Sequence, residues 1–218
     1  MKNKNIIIII ATVLLGIIYL AGTQAYKDQV ASNDNFFSSE NFELYVPKHA
    51  MKLGNDKSKV YLTEFLDIEC ESCRQFYPYV KKILEDHPGQ VQLVIRYATF
   101  HKNSKYVTQI LEAARMQGKY WEVMDTLFVH QPEWGNHHNP NPELVWGYLE
   151  QLGVDIAKIK EDMNDPAILK LIEQDGIDGK QLNVRQTPTF FVNGIPLQEF
   201  GYEGLRDLIR SQIEKNKS

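Results

Sequence analysis

Apolar residues follow two different periods along this chain, and the switches between them divide it. In residues 60–67, Val60-Tyr61-Leu62-Thr63-Glu64-Phe65-Leu66-Asp67, β-branched and aromatic residues run almost without interruption. Such a run predicts a strand covered on both faces, with Glu64 as its one anomaly. Past Cys70, residues Phe76, Tyr79, Val80, Ile83 and Leu84 fall at helical spacing until Pro88-Gly89 stops them. Pro78 lies inside that stretch and predicts a kink. Residues 91–97 read as a second strand, and strand, helix, strand at these lengths predicts a right-handed βαβ unit with parallel strands. Upstream, a short strand is expected at 42–46, ended by Pro47. From Asn103 the period is helical for roughly eighty residues, over 104–117, 119–130, 142–152, 155–163 and 166–182, which predicts a helical block inserted into an α/β domain. Strand signals return at Thr189-Phe190-Phe191-Val192, where Asn193-Gly194 is a two-residue hairpin signal before Ile195-Pro196-Leu197. An amphipathic helix over 204–215, with Leu205, Leu208, Ile209 and Ile213 on one face, closes the chain.

The first residues differ in kind. Lys2 and Lys4 precede an apolar run over residues 6–22, the pattern of a membrane anchor or an export signal occupying residues 1–25. Cleavage after Ala25 would put Thr23 at the upstream specificity position, a mediocre fit, so an uncleaved anchor is the favoured reading. The positive-inside rule then puts everything after Tyr26 outside the cytoplasm. Residues 26–42 are polar and read as a tether, ahead of a domain over 43–218. With 218 residues the chain can bury a full core, and a formal charge of -4 with no basic block argues against nucleic acid as a partner.

The chemistry concentrates in Cys70-Glu71-Ser72-Cys73, which holds the only two cysteines. As a structural staple, so short a loop would stabilise weakly. As a redox pair, Cys70 at a helix start would face unpaired N–H groups and the positive end of the helix dipole, lowering its pKa, while Cys73 lies one turn in and is shielded. Cys70 is then the attacking thiol, which must be exposed, and Cys73 the resolving one. The alternative of another class is a copper or zinc carrier using Cys70, Cys73 and a histidine, with His137 and His138 the candidates. No resident metal and no cofactor are expected under the redox reading.

Residues 62–73, ending in Asp67-Ile68-Glu69-Cys70-Glu71-Ser72-Cys73, resemble the active-site strand and helix start of the thioredoxin superfamily, specifically its DsbA-like branch. Thr187-Pro188-Thr189-Phe190-Phe191-Val192-Asn193-Gly194 resembles that family's cis-proline loop and hairpin, and Phe100-His101-Lys102-Asn103-Ser104 is similar to the branch's connection into its helical insertion. The resemblance runs from about Leu53 to the C-terminus. It implies a thioredoxin fold with an all-helical insertion at about 103–184 and a protein thiol–disulfide oxidoreductase. It also implies a cis Pro188 beside the cysteines, and a Thr187 whose backbone receives a substrate strand. Glu64 would be the buried carboxylate beneath the site, moving a proton to and from Cys73 with its pKa raised towards neutrality.

The implied partners are cysteine-containing exported proteins and a membrane or soluble redox partner. The implied location is the bacterial periplasm or the outer face of the cytoplasmic membrane. Either disulfide donation or a reductase or isomerase direction is compatible with these residues. One departure stands out: potent oxidases of the branch carry a histidine between the cysteines, where this chain has Glu71-Ser72. Asp67, Glu69 and Glu71 are expected to oppose the helix dipole as exposed charges, raise the Cys70 pKa relative to such an oxidase, and give a less oxidising couple.

Overall fold

A computed structural model describes residues 16–17, 19–24, 41–136 and 138–216. The expected anchor and tether lie mostly outside the described residues. Residues 16–17 and 19–24 are helical, and among the described residues no helix is long and apolar enough to cross a membrane. Glu43–Ser218 forms a compact unit of its own.

The sheet contains β1 (Met51–Gly54), β2 (Val60–Leu66), β3 (Val91–Tyr97), β4 (Thr189–Val192) and β5 (Ile195–Pro196), in spatial order β1-β3-β2-β4-β5. β2 and β3 are parallel, from Val60 opposite Val91 to Leu66 opposite Tyr97, and every other pairing is antiparallel. Strand β2 is central, which is why its sequence is apolar on both sides. Side-chain alternation puts Val60, Leu62, Glu64 and Leu66 on one face and Thr63 and Phe65 on the other. The first face joins a single core that includes Cys73, Val80 and Ile83 and continues into the helical insertion. On the second face Phe65 packs edge-on against Phe191, and Thr63 Oγ1 donates to the Tyr45 carbonyl.

The strand expected at 42–46 is instead the helical turn α1 (Phe42–Tyr45), and the first strand comes later, at Met51–Gly54. Five mostly apolar residues do not distinguish the two periods. What decides is Arg96, buried in β3, whose guanidinium donates to the Leu44 carbonyl and needs that oxygen turned inward. The buried guanidinium also pairs with Asp175 (Nε to Oδ1, 2.7 Å) and Asp178 (Nη2 to Oδ2, 2.5 Å), tying the sheet to the insertion.

Helix α2 (Glu71–Asp86) carries the cysteine motif at its start and runs unbroken through Pro78. The insertion comprises α3 (Ser104–Met116), α4 (Tyr120–Val129), α5 (Gln131–Trp134), α6 (Val145–Leu149), α7 (Ile156–Asp162) and α8 (Pro166–Gln181), with 3-10 turns at Pro142–Leu144 and Glu150–Leu152. Asp155 and Asp165 cap α7 and α8 by accepting from Lys158 N and Ala167 N, and Pro166 occupies the first helical position of α8. The short α5 has no helical periodicity to announce it, and it supplies a residue of the site. At the β4–β5 turn Asn193 and Gly194 both have positive φ, 48° and 76°, as a type I′ turn requires. Asn193 also pins the turn to β2, exchanging bonds with Tyr61 N and O. Helix α9 (Tyr202–Lys215) closes the fold and buries Leu205, Ile209 and Ile213.

Candidate active site

Cys70 ends the loop after β2 and is the N-cap of α2, with extended backbone angles. Its thiol is 3.3 Å from the carbonyl oxygen of Thr187, and the Thr187-Pro188 bond is cis. Two segments more than a hundred residues apart therefore meet at one sulfur. Cys70 is less exposed than an attacking thiol was expected to be, at 7 % of its surface, and Cys73 is fully buried. Both are free thiols in this structure.

The two thiols differ in acidity because their partners differ. The Cys70 pKa falls to about 5, chiefly because the Cys73 thiol hydrogen-bonds to it; burial opposes the shift, while the Thr187 side chain and the N–H groups of Cys73 and Ser72 assist it. Cys73 moves well above the ordinary thiol value, first through burial, then through its bond to Cys70 and the charge of Glu64. The Asp67 N–H donates to Cys73 Sγ at 3.4 Å. One thiolate and one thiol, adjacent, is the state in which an exchanging pair has an attacking sulfur and a protonated resolving one.

Glu64 is 1 % exposed, and its Oε2 has no hydrogen-bond partner among the described residues. Burial, followed by the charge on Cys70, raises its pKa to about 8. A buried carboxyl at that value can hold or release a proton near neutral pH.

Asp67 and Glu69 are not the exposed charges expected of them. Asp67 Oδ1 accepts from Glu69 N (2.9 Å), while Oδ2 accepts from Phe100 N (2.8 Å), His101 N (3.1 Å) and His101 Nδ1 (2.8 Å). Glu69 accepts from Asn103 N (2.7 Å) and Asn103 Nδ2 (2.8 Å). Both carboxylates are buried and spend their charge on N–H groups of the loop that follows β3, leaving Glu71 as the exposed acid of the three. The expectation of three exposed charges is therefore corrected at two of them, and the Cys70 pKa falls despite all three.

From the insertion, Gln131 Nε2 donates to the carbonyls of Ile68 (2.8 Å) and Cys70 (3.0 Å), and Arg74 Nε donates to Gln131 Oε1 (3.0 Å). The sequence offered no signal for Gln131, and for His101 it offered only membership of the Phe100-Ser104 connection. Among the described residues no group of three or more His, Cys, Asp or Glu side chains can hold a metal ion; His137 lies outside the described residues.

A cysteine pair opening a helix after the central strand, with a cis-proline loop at its first sulfur and a helical block inserted into the sheet domain, defines a class by its fold: the thioredoxin fold in its DsbA-like form. The chain belongs to the thioredoxin family, whose profile matches residues 47–211. Its fold is similar to that of oxidised BdbD from Bacillus subtilis, at 24 % identity with a TM-score of 0.66 over 75 % of this chain and 92 % of that one. It is likewise similar to α-DsbA1 from Wolbachia pipientis, at 18 % identity with a TM-score of 0.70 over 79 % and 96 %. Among curated relatives, the Na(+)/H(+) antiporter NhaA 1 of Salinispora arenicola is 34 % identical over 145 residues, 65 % of this chain and 21 % of that protein. The chain spans about a fifth of the length of the curated relatives it matches.

Proposed function

We propose that Cys70 and Cys73 exchange disulfides with cysteine-bearing exported proteins, Cys70 attacking and Cys73 resolving, with disulfide donation the favoured direction. The observation that carries this reading is the acidic Cys70 thiol 3.3 Å from the Thr187 carbonyl at the cis Pro188. A stabilised thiolate stabilises the reduced pair, and a couple whose reduced form is stabilised has an oxidising disulfide.

In the donating direction a substrate thiolate attacks Cys70 Sγ of the disulfide. The sulfur–sulfur bond breaks, and Cys73 leaves with the electron pair and takes the proton held by Glu64. A second substrate thiolate then attacks the substrate sulfur of the mixed disulfide and expels Cys70 as a thiolate. The substrate dithiol is oxidised to a disulfide, the enzyme pair is reduced by two electrons, and an oxidising redox partner restores it. Thr187 and Pro188 would receive an extended segment of the substrate at the mouth of the site. The export reading of residues 1–25 and the tether at 26–42 would put this chemistry in the periplasm or on the outer face of the cytoplasmic membrane, where disulfides persist.

The test is paired: refolding of reduced ribonuclease by the oxidised protein, and reduction of insulin by the reduced protein. Ribonuclease refolding is expected to be accelerated more than insulin reduction, and Cys70→Ser to return both to background. The opposite ranking would assign a reductase or isomerase, and exchange no faster than that of a small dithiol would remove the function.

A further inference from the structure

The loop in front of Cys70 presents a problem in charge. Asp67 and Glu69 lie within three residues of a sulfur that is to carry a negative charge, and no cation stands between the cysteines. The charge of Glu69 is met by Asn103 N and Nδ2. Asp67 is met by three backbone N–H groups and by the ring of His101, whose Nδ1 donates to Oδ2 at 2.8 Å. The ring is partly exposed, at 27 %, whereas Asp67 is fully buried. The backbone at His101 is held as well, since its one N–H is shared between Asp67 Oδ2 and Ser104 Oγ (3.1 Å to each). Among the ionisable groups that act on His101 are Asp67 and Glu69 from the loop after β2 and Cys70 from the start of α2.

We propose that His101, positioned by Asp67, is a cation that adds to the stabilisation the Cys70 thiolate receives from Cys73 and the helix start, and that it takes up part of a proton whenever the Cys70–Cys73 disulfide is reduced. The inference rests on the reading of Cys70 as the attacking thiol. With His101 protonated, the Asp67–His101 pair is neutral; with His101 neutral, Asp67 keeps its three backbone N–H donors but no opposite charge balances it beside the motif. A histidine outside the motif thus does the work that Glu71-Ser72 cannot do from inside it. Burial works against protonation of the ring, but the hydrogen bond and charge of Asp67 outweigh it, with the charges of Cys70 and Glu69 adding to the rise.

The contribution of Cys70 exists only when Cys70 is a thiolate. In the disulfide that charge is absent, so the proton affinity of His101 falls on oxidation and recovers on reduction. Reduction by a dithiol or by glutathione delivers two electrons to the sulfurs, one proton to Cys73 and a further fraction of a proton to His101. The potential then falls more steeply with pH, between the two pKa values of His101, than a one-proton couple would.

Two measurements test this on the full chain. An NMR titration of the His101 ring in the oxidised and reduced protein is expected to show about a threefold to tenfold higher proton affinity in the reduced form, the size of a partly screened charge interaction. Equal affinities in the two redox states would overturn the proposal without any variant. In His101→Asn, a side-chain amide N–H can replace Nδ1 at Asp67 while the charge is lost. The Cys70 proton affinity, followed by thiolate absorbance, is expected to rise about threefold to tenfold. The glutathione equilibrium is expected to move by the same factor towards the disulfide, a potential lower by about 15–30 mV. An unchanged Cys70 titration in His101→Asn would also overturn it. If both shifts appear while protein substrates are not turned over, the proposed function fails and this coupling stands; if Cys70 titrates as an ordinary thiol, both fail.

Discussion

Glu64 and Asp67 stand three residues apart on the same segment, each 1 % exposed, yet they are opposite kinds of carboxylate. Asp67 accepts from four N–H groups, three of them backbone, and its charge belongs to the architecture. Glu64 leaves Oε2 without a partner among the described residues, and its pKa rises to about 8. Burial is common to both and distinguishes neither. The number of donors aimed at the oxygens decides whether a buried carboxyl is held as an anion or left as a proton carrier.

The largest expected effect breaks the satisfied member of the pair. Asp67→Ala strands the N–H groups of Glu69, Phe100 and His101 at once, the first buried and the other two half-buried, each worth roughly 1–3 kcal/mol when a buried acceptor is removed. Urea unfolding is expected to show a loss of about 3–5 kcal/mol at pH 7. A loss under about 1 kcal/mol would mean that water replaces the carboxylate and that the loop is not held by it.

The unsatisfied member should respond with the opposite sign, and only at high pH. The folded-state pKa of Glu64 lies above its unfolded value of about 4.5, so the folded protein binds more protons than the unfolded chain between those limits. Stability contributed through Glu64 therefore falls as pH rises from about 4.5 to about 8, and the penalty is fully present above that range. Glu64→Gln removes the penalty but brings a buried amide that itself needs partners. The net expectation is a gain of about 1–2 kcal/mol at pH 9 that turns into a loss of similar size near pH 5, where only the cost of the amide remains, read from thermal unfolding at both pH values. In the same variant the pH dependence of thiol exchange should flatten around pH 8. A variant equally stable at both pH values, with an unaltered exchange profile, would remove Glu64 from the proton path.

These two carboxylates also show what a linear reading can reach. Glu64 was legible because it interrupts an apolar strand, and Cys70, Cys73, Thr187 and Pro188 because they stand in short motifs at element boundaries. Asp67 and Glu69 carried the same polarity signal as any surface acid. Their burial depends on the N–H groups of Phe100, His101 and Asn103, more than thirty residues on, and no local pattern encodes that pairing. The error at residues 42–46 has the same origin, since Arg96 in another strand requires the Leu44 carbonyl. Periodicity gave the long helices of the insertion well, and it missed α5, which is too short to have a period.

Gln131, on that missed helix, offers the finest test of the comparison because it grips the same loop without a charge. Its Nε2 holds the Ile68 and Cys70 carbonyls at 2.8 and 3.0 Å, and its Oε1 takes the Arg74 Nε. Gln131→Ala therefore removes the Gln131 bond from the Ile68 carbonyl and from one guanidinium N–H and takes one of two donors from the Cys70 carbonyl, and a loss of about 1–2 kcal/mol is expected. A neutral amide has no proton to exchange, so that loss should be the same at pH 5 and pH 9, unlike the effect of Glu64→Gln. The carbonyl of Cys70 also receives Arg74 N within α2, so the first turn of the helix stays closed in the variant. Cys70 should accordingly keep its acidity, measured by thiolate absorbance, while the unfolding midpoint drops. If the Cys70 titration moved with the midpoint, the sulfur's acidity would depend on how tightly the loop is held as well as on its charges. The contrast between Glu64 and Asp67 would then have to be restated in terms of rigidity rather than donor count.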